Sequence, residues 1–238
     1  MGNPIEDKDG TDKRSVAVGT EAVAGAPPAS PSERREQGKI TRRTRIIEVA
    51  ERCFEYSGYA GTTMSHIASQ LGGSKGTLWK HFPSKETLFT AVLETVTNRV
   101  RSSLLSTLDP AGEPREVLEK FTQRFIEAIS RTDSVSLQRM IIAESSRFPE
   151  IGHIFYAQAP AATAELLVAY IDALISSKKM RADDPHEAAS MLLALASGGL
   201  HQRILWGVES YSEHSAKAEA VLIIEQFLGV YTLQPSHP

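Results

Sequence analysis

Residues 62–82 read TTMSHIASQLGGSKGTLWKHF, and two incompatible readings compete for them. Gly72-Gly73-Ser74-Lys75-Gly76 has the G-x-S-x-G spacing of a hydrolase nucleophile elbow, which would make Ser74 a nucleophile. An elbow needs a strand before the serine, within an alternating strand–helix fold. Here Met64, Ile67, Ala68 and Leu71 recur on one helix face, and Thr63 stands in the N-cap position. No strand–helix alternation follows. The catalytic and metal patterns H-E-x-x-H, C-x-x-C and G-x-G-x-x-G are absent from the sequence. The expectation is therefore no catalytic residue, no metal site and no cofactor.

The other reading is helical throughout. A helix over 63–71, a turn at Gly72-Gly73 and a helix over 74–82 have the proportions of a helix-turn-helix. Ser74 is then a cap, and Leu78 and Phe82 face inward one turn apart. Pro83 disfavours helical geometry at Phe82 and ends that helix. The helix carries Lys75, Lys80 and His81 and no acid. Lys75, and Lys85 at the next helix start, oppose the helix dipole by roughly 0.3–1 kcal/mol each. A DNA phosphate near each start would reverse that sign. Gly76 costs about 1 kcal/mol relative to Ala inside a helix, which suggests close approach of another surface.

Outward from this stretch the pattern stays helical. Upstream, Ile46, Ala50, Cys53 and Phe54 share a helix face, with Gly58 as a stop signal. Cys53 reads as a buried, inert thiol on that face. Residues 1–37, rich in Ala, Gly, Pro, Ser and charge, read as a disordered arm. Downstream, Ser84 caps KETLFTAVLETVTNRVRSSLL, Pro114 opens a helix to about Ser130, and Ser134 or Ser136 opens another. Pro149 breaks that one before a long run to about Ile175. Asp184-Pro185 starts a helix to about Gly207, and a last helix covers about 212–231. The chain is expected to be all-α, with about nine helices: a three-helix helix-turn-helix domain over 38–90 and a helical bundle over 91–238.

Composition allows this. The 238 residues are 41% hydrophobic and 23% charged, with one cysteine, so a packed core without disulfides fits a reducing, cytoplasmic setting. The longest apolar run, 188–200, is too short and broken to span a bilayer. The N-terminus MGNPIEDKDG has neither an apolar secretion core nor the myristoylation pattern. Charge is uneven. Residues 31–101 hold twelve Lys/Arg and seven Asp/Glu, whereas 102–238 hold eleven and seventeen. Only the first part is suited to a polyanion.

Residues 46–89 resemble the DNA-binding domain of the TetR family of bacterial transcriptional regulators. The likeness lies in Phe54…Gly58-Tyr59, Thr62-Thr63, Ile67-Ala68, Gly72, Ser74-Lys75-Gly76-Thr77-Leu78, His81-Phe82 and Ser84-Lys85-Glu86-x-Leu88. Gly73 departs from the apolar residue usual there, and Trp79 from the usual tyrosine. Residues 140–160, MIIAESSRFPEIGHIFYAQAP, look like the AefR-like subgroup. The resemblance implies DNA-facing roles for Thr63, Ser74, Lys75, Gly76, Thr77, Trp79, Lys80, His81 and Lys85. Lys75 and Thr77 would meet base edges; Thr63, Trp79, His81 and Lys85 would meet phosphates. Arg42, Arg43 and Arg45 are further candidates for the DNA backbone or a minor groove, with a solvated basic run as the equal alternative. It also implies a homodimer on a pseudo-palindromic operator and a body that binds a small apolar or amphipathic ligand. Phe125, Met140, Glu144, Phe155, His201 and Trp206 are candidate ligand residues. Two rival readings stand beside the ligand-released repressor: a ligand-independent or activating regulator, and a serine hydrolase using Ser74.

Overall fold

The computed structural model describes residues 30–72, 75–181 and 184–231. The chain divides into two compact units, Met1–Gly38 and Lys39–Pro238. Of the first, the described part is the start of helix α1; the second carries all the remaining elements. The order is α1 Pro31–Gly61, α2 Met64–Gln70, α3 Lys75–His81, α4 Lys85–Leu105, α5 Pro114–Ser130 and α6 Thr132–Glu144. Next come α7 Pro149–Tyr156, a π-helical turn Ala157–Ala161 and α8 Ala162–Ser176, which run on as one rod. The series closes with α9 Pro185–Gly198, α10 Leu200–Leu205 and α11 Glu213–Tyr231. With the rod counted once, the described residues hold ten helices and no strand.

Most starts follow the local chemistry read from sequence. Thr63 caps α2 by accepting from the His66 N–H. Ser84 caps α4 and accepts from the Thr87 N–H, while the Thr87 hydroxyl accepts from the Ser84 N–H. Asp184 accepts from the His186 N–H ahead of Pro185. Ser74 and its expected cap lie outside the described residues.

Three expectations are corrected, and the long helix over 149–176 stands with one irregular turn. The arm over 1–37 falls mostly outside the described residues, but within them helix begins at Pro31. Proline suits a first helical position, and Glu, Arg and Gln in SERREQ are good helix formers. Helix α6 starts at Thr132 rather than Ser134 or Ser136, with Asp133 in its first turn. The long helix over 149–176 contains Pro160, and the π turn accommodates the hydrogen bond that proline cannot make. The helix expected over 185–206 is two, because Gly199 leaves helical geometry (φ −97°, ψ −110°) and the freed Leu200 N–H donates to Glu219 Oε1 at 2.6 Å.

Two buried clusters organise the chain. One gathers Ile46, Phe54, Tyr59, Ile67, Leu78, Phe82 and Phe89, closed by Ile141 and Ile151 from the body. The other is the body's own, with Leu118, Phe121, Ile126, Leu167, Ile171, Leu192, Ile224 and Phe227. The rod Pro149–Ser176 is long and apolar enough, at mean hydropathy 1.3, to cross a bilayer. In the fold it is a bundle helix: Leu167, Tyr170, Ile171 and Leu174 are buried, and α8 packs along α9.

Candidate functional site

The helix-turn-helix is built from α2 and α3. Ile67 and Ala68 bury one face of α2; Leu78 and Phe82 fix the inner face of α3. Gly72 takes the left-handed conformation (φ 65°) that the turn requires. With the apolar side held inward, Thr63, Gly76, Trp79 and Lys80 are exposed, and Thr77 and His81 are half-buried. Trp79 is 39% exposed, a large value for an indole with a core beside it. Apart from its own helix, no atom of the described residues lies within 4 Å of where a Cβ on Gly76 would stand, so none of them demands glycine there. Lys75 opens α3. Arg43 lies over the Phe82 ring at 5.1 Å, and Arg45 approaches Glu48 at 3.6 Å. Cys53 is buried, and burial pushes its thiol up from the ordinary range, which makes it unreactive.

Lys85 has partners within the protein. Its Nζ donates to the Tyr59 carbonyl at 2.9 Å and sits 4.1 Å from the centre of the Tyr59 ring. This explains a cation at the start of α4 without any phosphate. Tyr59 follows the kink in α1 at Gly58 (φ 68°), which frees the next amides from their normal helical acceptors. Glu144, the last residue of α6, supplies the replacement. Its Oε1 accepts from the Tyr59 N–H at 3.1 Å, and its Oε2 accepts from the Ala60 N–H at 2.6 Å. Buried Thr62 donates to the carbonyls of Gly58 and Cys53 on the other side of the kink. Phe148 packs edge-on against Tyr59 at 5.3 Å. The end of α6 therefore clasps the end of α1.

Against the middle of α6 lies a cavity of about 240 Å³, walled by Val96, Val100, Phe125, Ile129, Phe155 and Leu193. Gln138 and His201 of its wall belong to one hydrogen-bonded chain that ends on buried Ser130 and the Ile129 carbonyl. Ser130 Oγ lies 3.2 Å from His201 Nδ1, His201 Nε2 lies 3.0 Å from Gln138 Oε1, and Gln138 Nε2 donates to the Ile129 carbonyl at 2.9 Å. Burial lowers the His201 pKa from its ordinary value, which keeps the ring neutral. Of the six ligand candidates, Phe125, Phe155 and His201 line this cavity. The other three lie outside its wall. Glu144 holds backbone amides, Met140 packs on the cluster around Tyr59, and Trp206 is 68% exposed. Each sits on an apolar stretch, and periodicity alone does not say which side of a helix meets a void. Gln138, Ser134 and Ser197 line the cavity and were missed, because a polar residue on a helix reads as solvent-facing.

Residues 46–92 match the family described as bacterial regulatory proteins of the tetR family, and residues 116–233 match the AefR-like transcriptional repressor C-terminal domain. The solved structure of the flavonoid-responsive regulator FrrA is 30% identical, with a TM-score of 0.71 over 82% of this chain and 100% of that one. The chain belongs to the TetR family of bacterial transcriptional regulators. The TetR family is one of DNA-binding, non-enzymatic transcriptional regulators. The elbow reading of Ser74 fails on its own terms too, since α2, not a strand, precedes it. A TetR-family regulator from Mesorhizobium loti is 28% identical, with a TM-score of 0.73 over 82% of this chain and 98% of that one. The repressor Rv1474c of Mycobacterium tuberculosis is 27% identical over 72% of this chain and 87% of its own length. LmrA of Bacillus subtilis is 28% identical over 39% of this chain and 50% of its own length. This TetR-family chain spans half or less of the first curated relatives it matches.

Proposed function

We propose that this protein is a cytoplasmic homodimeric repressor that leaves a pseudo-palindromic operator when a small apolar or amphipathic molecule occupies the cavity. Helix α6 carries this reading. Its Ser134, Leu137 and Gln138 line the cavity, its Arg139 donates to the carbonyls of Ile204 and Leu205, and its last residue holds the kink of α1. A ligand that displaces α6 loosens or shifts the clasp on the DNA-binding domain. In this reading Lys75 and Thr77 face base edges, while Thr63, Trp79, Lys80 and His81 face phosphates. A flavonoid-responsive relative and several relatives named repressors support a small organic effector and repression.

Moving the population from 1:99 to 99:1 requires the ligand to prefer the released state by about 5.5 kcal/mol. Linkage makes this reciprocal, so operator DNA weakens ligand binding by the factor that ligand weakens DNA binding. Calorimetric titration of a binding compound, with and without the operator fragment upstream of the gene, measures both. Equal ligand affinity in the two states would leave a ligand-independent regulator.

A further inference from the structure

The chemistry of the cavity narrows its occupant, provided that the cavity is the effector site as proposed above. The charge that the cavity wall can offer turns on His201. The Gln138 amide nitrogen donates to the Ile129 carbonyl, so its oxygen is the atom that faces His201 Nε2. An amide oxygen only accepts, so Nε2 carries the ring proton. Nδ1 is then the lone-pair nitrogen and accepts from the Ser130 hydroxyl. Both ring nitrogens are occupied by neutral partners, and the residue is only 5% exposed. A proton added at Nδ1 would face a hydroxyl oxygen and no carboxylate. Burial lowers the pKa in the same direction. His201 therefore offers no positive charge to a ligand.

No other lining group supplies a charge. Among the described residues the cavity has no Lys, Arg, Asp or Glu in its wall. A charged group placed there would lose its hydration with nothing to compensate it. The surroundings add a bias against anions. A neighbouring recess shares Val96, Ser134 and Leu137 with the cavity and is also lined by Glu51, Glu55 and Asp133. Burial, and then repulsion from Glu51 and Asp133, pushes the Glu55 carboxyl up.

Hydrogen-bonding capacity remains at one end. Ser134 and Ser197 line the cavity, and their hydroxyls have no partner among the described residues. The Thr97 hydroxyl donates to the Leu93 carbonyl and keeps lone pairs free to accept. The second amide proton of Gln138 is also uncommitted. Ser134 and Gln138 are one turn apart on α6, and the His201–Gln138 bond brings α6 against the stretch that bears Ser197. The volume lies just below the range of about 300–1,000 Å³ usual for small-molecule sites, so the ligand is compact.

We propose that the cavity takes a compact, uncharged, largely apolar molecule whose one or two hydroxyl or carbonyl groups meet Ser134, Gln138 and Ser197. Carboxylates and ammonium compounds of the same shape are excluded. The test uses the full chain and a panel of benzene, naphthalene and biphenyl probes. Each ring system is offered as the alcohol or phenol, the carboxylate, the methylammonium and the parent hydrocarbon. Calorimetry is run on the wild type and on Leu193→Trp, which fills the cavity; Ala128→Phe replaces it if circular dichroism shows misfolding. The hydroxyl form of at least one ring system should bind at least tenfold tighter than its two ionic forms and tighter than its hydrocarbon. Filling should abolish that binding. An ionic form that binds as tightly as the hydroxyl form, and is lost on filling, overturns the ligand class and leaves the cavity as effector site. If no probe binds, or binding survives filling, the cavity is not the effector site and the reading beneath this one falls with it.

Discussion

Glu144 is the residue on which the domain arrangement turns. Its carboxylate satisfies two amides that Gly58 frees, so Glu144→Ala leaves two donors without their acceptor. Charge-assisted hydrogen bonds of this kind make the expected loss about 2–4 kcal/mol in chemical denaturation. Glu144→Gln keeps one acceptor oxygen and should lose about half as much. Gly58→Ala should be at least as damaging as Glu144→Gln, because a Cβ would stand 2.5 Å from Glu144 Oε1 on a backbone with φ +68°. Lys85 separates two accounts of the same motif. If it acts through Tyr59, Lys85→Ala lowers stability by about 1–2 kcal/mol and leaves the salt dependence of operator binding unchanged. A phosphate contact would instead reduce the salt slope by about one. His201 adds a pH signature. Its folded pKa lies below the ordinary 6.5, so below pH 6.5 the unfolded chain takes up a proton that the folded one refuses. Stability present above pH 6.5 is thus lost as pH falls through the folded value. Denaturation midpoints between pH 7.5 and 5.5 should fall more steeply for the wild type than for His201→Gln.

At the level of elements, legibility followed whether the deciding interaction was local. Thr63, Ser84 and Asp184 cap helices through bonds to residues two or three positions on, and each was readable because cap and partner sit in the same short string. Leu78 and Phe82 were readable as inward because one helix turn separates them. The kink partner of Gly58 was not, since Glu144 lies 85 residues from Tyr59. Gly199 is the same kind of case. The sequence reading runs one helix across the glycine pair, but the break is held by Glu219 on α11, whose carboxylate occupies the space a Cβ would need. Gly199→Ala must therefore displace Glu219 and free the Leu200 N–H. We expect a loss of about 1–3 kcal/mol in thermal or chemical denaturation. Glu219→Ala, which removes the obstacle and the acceptor together, should make the second substitution at Gly199 less costly than the first. A double-mutant cycle with additive losses would place the origin of the break elsewhere.

A basic seven-residue α3 is short for operator specificity, and a second copy would supply the rest. The sequence of α11 carries an apolar run, Val221-Leu222-Ile223-Ile224 with Phe227 and Leu228, more apolar surface than one intramolecular face requires. The fold uses half of it: Ile223, Ile224 and Phe227 are buried in the body's own core. What remains outside is a narrower strip, with Leu222 59% exposed and Val221 and Val230 each 40% exposed. Two such strips related by a two-fold axis would bury one another and place two heads one helical turn apart on DNA, about 34–36 Å. Linking two weak contacts in this way raises affinity by about 10²–10⁴ without any new contact to a base. Leu222→Asp tests the arrangement cleanly, because a side chain exposed in the single chain can change without disturbing its core. Light scattering at micromolar concentration should give a dimer for the wild type and a monomer for the variant. Operator affinity should fall at least a hundredfold, while the far-ultraviolet circular dichroism keeps its helical form. A variant that stays dimeric with its operator affinity intact would move the interface away from α11.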